Sequence, residues 1–244
     1  MTGLAIIGGT GLASLEGLSV DREEPVTTPY GPTSAPLIHG RYGGREVIFL
    51  ARHGNPHVIP PHKVNYRANI RALKDAGVDK VIGVNAVGGI TAAMTPCRIA
   101  IPDQIIDYTR DRPHTFFEDG LEAVIHVDFT RPYSDSLRRR ILAAAAGMDI
   151  AEGGTYGATQ GPRLESAAEI ERMQRDGCDL VGMTGMPEAA LARELDLDYA
   201  SICVVVNWAA GKSGEEITMD LIEANLKKGI GTVHALLASV IKQL

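Results

Sequence analysis

Four short stretches of this 244-residue sequence carry groups that hold an oxyanion: Gly8-Gly9-Thr10-Gly11, Arg52-His53-Gly54, Asn85-Ala86-Val87-Gly88-Gly89 and Gly182-Met183-Thr184-Gly185. Glycines let backbone N–H groups come close to a ligand, threonine adds a hydroxyl, and arginine and histidine add positive charge or ring N–H donors. Each stretch follows an apolar, β-type run: LAII, EVIFLA, DKVIGV and CDLV. In a parallel sheet such strand ends meet at one edge, where ligands bind. The four stretches therefore predict one anion pocket assembled from distant parts of the chain, and with it a phosphate-using enzyme.

The elements that must position these groups alternate between strands and helices. Residues 45–51 and 79–85 read as strands, with a helix over 62–77 between them. Tyr66, Ile70, Leu73 and Gly77 form its apolar stripe at 4-3-4 spacing. A strand is expected over 99–107 and a helix over 134–147, opened by Ser134 as N-cap. A Gly-rich strand (153–160), a helix (165–176) and a strand (178–182) follow. Pro187 and Glu188 start the next helix, where proline suits the first position and glutamate the positive end. Residues 198–206 read as a buried strand and 218–242 as the last long helix. This order predicts an α/β fold of three layers, α/β/α, around a mixed central sheet. No linker divides the chain, so 1–244 is read as one domain.

Several candidates also have a purely structural reading. Gly9 and Gly11 fit the start of a dinucleotide-binding G-x-G-x-x-G, but Ser14 stands at the third glycine position, so an oxidoreductase reading is weakly supported and a tight turn serves as well. Thr184 either binds an anion at a helix start or caps that helix. Asn207 ends the apolar run Ile202 to Val206, so its amide needs a backbone partner or a ligand with both a donor and an acceptor. Glu165 follows Gly161-Pro162-Arg163-Leu164 and opens a helix, where a first-turn helix charge is its structural reading.

The formal net charge of −6 argues against general binding to nucleic acid or anionic membranes. Met1 leads almost directly into a strand, which predicts no signal peptide, and no apolar run is long enough to span a bilayer. Cys97, Cys178 and Cys203 lack metal or redox spacing and read as thiols in a cytoplasmic protein. No metal constellation is expected.

Taken together, IIGGTGL (6–12), ARHG (51–54), PHKVNYRANIRALKDAGV (61–78), NAVGGI (85–90), RPHTFFEDG (112–120), GPRLES (161–166), GMTGMPEAALARE (182–194) and YASICVVVNW (199–208) resemble the trimeric branch of the purine nucleoside phosphorylase family, methylthioadenosine phosphorylases included. The resemblance implies reversible phosphorolysis of a purine nucleoside to a free base and a ribose 1-phosphate, a reaction of purine salvage, with phosphate as co-substrate and no cofactor. It implies that Thr10, Arg52, His53, the Ala86 N–H and Thr184 bind phosphate. Met183 lies under the ribose, and Leu164 stands where the family stacks a Phe on the purine. His126 matches a histidine donated by a neighbouring subunit of a homotrimer.

The departures from the family pattern address the substrate. Glu165 and Asn207 match the inosine and guanosine enzymes, whereas the methylthioadenosine enzymes carry Ser and Asp there. A Glu165 carboxylate accepts the N1–H of a 6-oxopurine, a proton adenine lacks, while Asn207 pairs with O6 or N7 of the leaving base. By alignment Met219 and Ile222 lie at the 5′ position, where inosine enzymes use a His, and an apolar pair suits a methylthio group. The expected substrate is 5′-methylthioinosine; inosine or guanosine, then methylthioadenosine, are the alternatives.

Overall fold

The protein is described by a computed structural model that covers residues 3–244. Thirteen strands and five α-helices occur among the described residues. The strands are β1 (Gly3–Gly8), β2 (Ser19–Glu24), β3 (Thr27–Thr28), β4 (Gly31–Pro32), β5 (Leu37–Tyr42), β6 (Arg45–Ala51), β7 (Val78–Gly89), β8 (Ile99–Ala100), β9 (Gln104–Asp107), β10 (Ile150–Ala151), β11 (Thr155–Ala158), β12 (Leu180–Gly182) and β13 (Asp198–Trp208). The helices are α1 (Tyr66–Asp75), α2 (Asp135–Ala144), α3 (Ala167–Arg175), α4 (Gly185–Glu194) and α5 (Met219–Gln243).

Eleven strands form one mixed sheet, with the order β10-β8-β13-β7-β1-β6-β5-β2 and with β12, β11 and β9 branching from β7. Its centre is parallel: β6, β1, β7 and β13 run side by side in one direction. Side-chain alternation then divides the core. Ile6, Phe49, Ile82, Val84, Ile202 and Val204 pack on one face with α2 and α5 residues such as Leu137, Ile141, Val233 and Leu237. Ile7, Leu50, Val81, Val87, Cys203 and Val205 pack on the other with Ile70 and Leu73 of α1 and Ala189 and Ala192 of α4. These are the three layers expected.

The predicted elements stand with shifted ends, each for a local reason. The helix expected over 62–77 is a 3₁₀ turn at Pro61–Lys63 followed by α1, because Asn65 caps Ala68 N–H (3.1 Å) and starts a new helix. The strand expected over 99–107 is two strands. Pro102, which has no N–H, lies between them, and β8 pairs with β13 and β10 while β9 pairs with β11. Ser134 caps α2 as expected, through Leu137 N–H. Ser166, in a capping box with Glu169, starts α3, so Glu165 lies in the loop before the cap and is not a first-turn charge. In α4 the helical path is broken at Met186, and regular helix begins at Pro187.

Candidate active site

β6 and β1 end side by side, while β7, expected to stop at residue 85, runs on to Gly89; Gly9, Thr10, Arg52 and His53 thus meet Asn85 and Ala86 from within β7. They line a cavity of about 270 Å3 together with Met183, Thr184, Glu165, Asn207, Leu164, Met219 and Ile222. Four distant stretches of sequence thus meet in one place.

Arg52 lies at the floor, fully buried, and its fork is not free. Nε donates to Glu188 Oε2 (2.7 Å), Nη2 to Glu188 Oε1 (2.8 Å) and Nη1 to the Val84 carbonyl (3.0 Å). Tyr199 OH donates to the same Glu188 (2.7 Å). The fork edge of Arg52 thus faces a carboxylate, and Glu188, in the first turn of α4 as expected, is its buried counter-ion. Burial opposes the arginine's charge, but Glu188 outweighs it and raises the arginine's pKa above its ordinary value. Hydrogen bonds to described residues take three of the five guanidinium N–H groups. The Gly9 backbone lies directly over this guanidinium: a Cβ there would come within 2.6 Å of Val84 O and 2.8 Å of Arg52 Nη1. Gly11 has φ +82°. The glycines of GGTG therefore make a tight turn over Arg52, and that turn places Thr10 at the cavity wall.

His53 is buried beside Arg52, and its Nδ1 lies 2.8 Å from the Ile59 carbonyl. The His57 ring stacks on it at 4.4 Å. Burial first, and the neighbouring guanidinium second, push the His53 pKa down to about 4, so the ring is neutral near pH 7. The same two causes lower that of His57.

The Val84 carbonyl faces Arg52, and alternation along a strand turns the Ala86 N–H to that same side. β1 pairs with β7 only as far as Ile7 and Gly83, so the sheet leaves this side open at Ala86. Thr184 is the N-cap residue of α4, but its side chain makes no capping bond. Its hydroxyl instead donates to Asn85 Oδ1 (2.8 Å), and Asn85 Nδ2 donates to Ser201 Oγ (2.5 Å). The purely capping reading of Thr184 does not hold.

The other end of the cavity holds Glu165 and Asn207. Thr159 Oγ1 donates to Glu165 Oε1 (2.5 Å) and orients the carboxylate. Asn207 reaches the cavity through a β-bulge. Val205 pairs with Val87, but Asn207, not Val206, pairs with Gly88. The extra residue moves Asn207 off the face it would otherwise share with Val205 and onto that of Gly88. Asn225 of α5 holds the bulge, with Nδ2 donating to the Val206 carbonyl (2.9 Å). Asn207 Nδ2 donates to the Trp208 carbonyl (2.7 Å), which leaves Oδ1 and a second N–H for a ligand.

Met219 and Ile222 occupy the first turn of α5, capped by Thr218, and both line the cavity. Ile222 is packed into the core cluster, while Met219 is 62% exposed. Ile217, Val206, Ala209 and Ala210 complete an apolar wall. Leu164 is 43% exposed at the rim. His126 does not line this cavity; it is exposed in the segment that carries Leu121, Val124, Ile125 and Val127, all exposed.

Sequence reading missed Arg112. It is buried, and hydrogen bonds engage all five of its N–H groups: Nε with Gln160 Oε1, Nη1 with the Met183 and Met186 carbonyls, and Nη2 with those of Thr159 and Gln160. One side chain thus ties the loop leading to Glu165 to the loop carrying Thr184. A lone arginine in RPHTFFEDG, five residues past the end of β9 and outside any glycine-rich stretch, gave no signal of this. Among the described residues no helix is long and apolar enough to cross a membrane, and no group of three or more His, Cys, Asp or Glu is arranged to hold a metal ion.

The chain is similar to known proteins over nearly all of its length. The chain is 58% identical over 243 residues, covering 99% of both chains, to a probable S-methyl-5′-thioinosine phosphorylase of Pseudomonas syringae pv. tomato. It is 46% identical to a 6-oxopurine nucleoside phosphorylase of Pyrococcus furiosus, across 98% of this chain and 92% of that one. Among solved structures, a methylthioadenosine phosphorylase from Schistosoma mansoni in complex with adenine superposes with a TM-score of 0.94 at 30% identity, covering 100% of this chain and 92% of the other. The phosphorylase superfamily model matches residues 4–242, and the chain belongs to that superfamily.

Proposed function

We propose that this enzyme, a pentosyltransferase of the purine nucleoside phosphorylase type, cleaves 5′-methylthioinosine with phosphate to hypoxanthine and 5-methylthioribose 1-phosphate. The observation that carries the reading is the single cavity joining the Thr10–Arg52–His53–Ala86–Thr184 cradle to Glu165 and Asn207 at one end and to apolar Met219 and Ile222 beside them. The name of the Pseudomonas syringae relative supports the same substrate.

In this reading phosphate lies in the cradle, under the field of Arg52 and against the Ala86 N–H and the Thr10 and Thr184 hydroxyls. The ribose rests on Met183 with its 5′-methylthio group against Met219 and Ile222. Leu164 covers the purine from the rim. Glu165 accepts N1–H, and the Asn207 amide pairs with N7 and O6. The N-glycosidic bond breaks towards an oxocarbenium-like sugar, which the phosphate stabilises and then captures. The base leaves with negative charge, and the catalytic Asn207 stabilises it at N7. The contribution of the protein is preorganised polarity and a held nucleophile. Phosphate is the only co-substrate required.

The same reading takes 1–244 as one phosphorylase domain in a cytoplasmic homotrimer. The exposed His126, among exposed apolar residues, then reaches a neighbouring active site. Nucleic acid and membrane have no part in it.

The test is base release from methylthioinosine, methylthioadenosine and inosine, with and without phosphate. Phosphate-dependent release that is fastest from methylthioinosine is expected. Faster release from methylthioadenosine would overturn the base assignment, and faster release from inosine the 5′ assignment.

A further inference from the structure

Cys97 has φ +72°, in the left-handed region that glycine enters freely and that disfavours a side chain. A residue kept in such a conformation points to a task for its side chain. The turn around it is held by backbone groups alone. Arg98 N–H donates to the Thr95 carbonyl (3.1 Å), Cys97 N–H to the Val205 carbonyl (2.7 Å), and Val205 N–H to the Arg98 carbonyl (3.0 Å). These bonds fasten the turn to β13 at the last residue before the bulge, and a glycine at 97 would make all of them.

The Cys97 side chain reaches Asn225. Its thiol donates to Asn225 Oδ1 (3.4 Å), while Asn225 Nδ2 donates to the Val206 carbonyl (2.9 Å). A bulge leaves its extra residue out of the ladder, and Asn225 supplies the partner that Val206 needs. An amide has one donating end and one accepting end. Turned over, Asn225 would set Oδ1 against the Val206 carbonyl, acceptor against acceptor. The thiol and the carbonyl together therefore fix the amide one way round. The Asn225 backbone is already held close to β13, because Gly229, one turn further along α5, lets the helix approach: a Cβ there would come within 2.5 Å of Val204 Cγ1. What remains to be set is the orientation of the amide.

We propose that Cys97 is a positioning residue for base recognition: its thiol orients the Asn225 amide, the amide holds the Val206 bulge, and the bulge presents Asn207 to the purine. This rests on the base-reading role given above to Asn207. Without the thiol the amide turns more freely, the Val206 carbonyl is held less constantly, and Asn207 meets the base in a less defined place. Discrimination between bases should then weaken, although Cys97 touches no substrate.

The experiment measures the ratio of kcat/KM for methylthioinosine to that for methylthioadenosine, with phosphate KM and urea unfolding alongside. Cys97→Gly should lower the ratio by about 3- to 10-fold, the value of one hydrogen bond. Its unfolding midpoint should not fall, since glycine suits this φ, and its phosphate KM should stay within about 2-fold of native. Cys97→Ser, whose hydroxyl also donates, should keep the ratio within about 2-fold of native. Asn225→Leu should lower the ratio at least as far as Cys97→Gly. In an Asn207→Ala background, Cys97→Gly should change the ratio by less than about 2-fold, because the residue through which it acts is gone.

An unchanged ratio in Cys97→Gly overturns the proposal, as does an equal loss of kcat/KM for both nucleosides. A serine variant no better than the glycine one overturns it too, and so does an undiminished effect in the Asn207→Ala background. If Asn207→Ala moves the ratio and Cys97→Gly does not, only the proposal falls. If Asn207→Ala itself leaves the ratio at the native value, the base reading falls and the proposal with it. Should Asn225→Leu fail to fold, the Cys97 variants decide alone.

Discussion

Glu188 grips the Nε and Nη2 edge of Arg52 with two hydrogen bonds of 2.7 and 2.8 Å, and neither side chain is open to solvent. This pairing fixes how the positive charge lies beneath the Gly9 turn. Under the proposed function it makes Glu188 a positioning residue for the phosphate.

Glu188→Gln keeps the shape and removes the counter-charge. Breaking a buried pair by removing one partner costs about 3–5 kcal/mol. Urea unfolding should show a loss of that order. Phosphate KM should rise about 10- to 100-fold as the guanidinium shifts, with a much smaller change in nucleoside KM. A variant that is destabilised but keeps phosphate KM would assign Glu188 to stability alone.

Arg112→Met removes the donor to five acceptors in two loops. Leaving several buried carbonyls unsatisfied should destabilise the protein by roughly 3 kcal/mol. Because those loops lead to Glu165 and carry Thr184, the KM values for nucleoside and phosphate should rise together. Arg112→Lys, with three donors and the same charge, should recover only part of each. A rise in one constant alone would show that the two loops are held separately.

That the four stretches line one cavity was legible because the signal is local: an apolar run followed by glycine, hydroxyl or cation. The pairing of Glu188 with Arg52 was not legible, for the opposite reason. Its partner lies 136 residues away, and next to Pro187 a helix-start charge is the ordinary role for a glutamate. Arg112 and Asn225 were missed because most of the groups they donate to are backbone carbonyls, which leave no trace in residue types. The bulge at Val206 is an offset between two strands, so no property of β13 alone contains it. Thr184 was open between two roles until the Asn85 contact decided it.

Acid should weaken the fold through His53. Its folded pKa, about 4, lies below the ordinary 6.5, so the unfolded chain binds the proton more readily than the native one. The associated stability is fully present above pH 6.5 and is lost as pH falls towards 4. The loss should approach roughly 3 kcal/mol, since each tenfold difference in proton affinity between the two states is worth about 1.4 kcal/mol. His57 shifts in the same direction. Urea unfolding at a series of pH values without phosphate should show this slope, and His53→Gln should flatten it. An equal slope in the variant would assign the acid sensitivity to other groups.

Base choice should move with two residues. Asn207→Asp with Glu165→Ser replaces an amide and an N1–H acceptor with groups suited to an amino-purine. The kcat/KM of methylthioadenosine relative to methylthioinosine should rise at least about 100-fold. No relative gain would mean that the base is read elsewhere in the cavity.

Met219 lines the cavity yet is 62% exposed, so a polar replacement should leave stability within about 0.5 kcal/mol. Met219→His supplies a partner for a 5′-hydroxyl. The kcat/KM for inosine relative to methylthioinosine should increase by about 10-fold, the value of one hydrogen bond. An unchanged ratio would remove Met219 from the 5′ contacts.

The bulge before Asn207 has a consequence for how such a site can diverge. The backbone offset, held by Asn225, sets where the side chain of residue 207 stands; under the proposed function, that side chain then decides what is read there. Address and letter are separate. Under the proposed function, changes of side chain at 207 and 165 can therefore shift the preference for one purine over another without rebuilding the strand, whereas deleting one residue from β13 would return position 207 to the opposite face of the sheet.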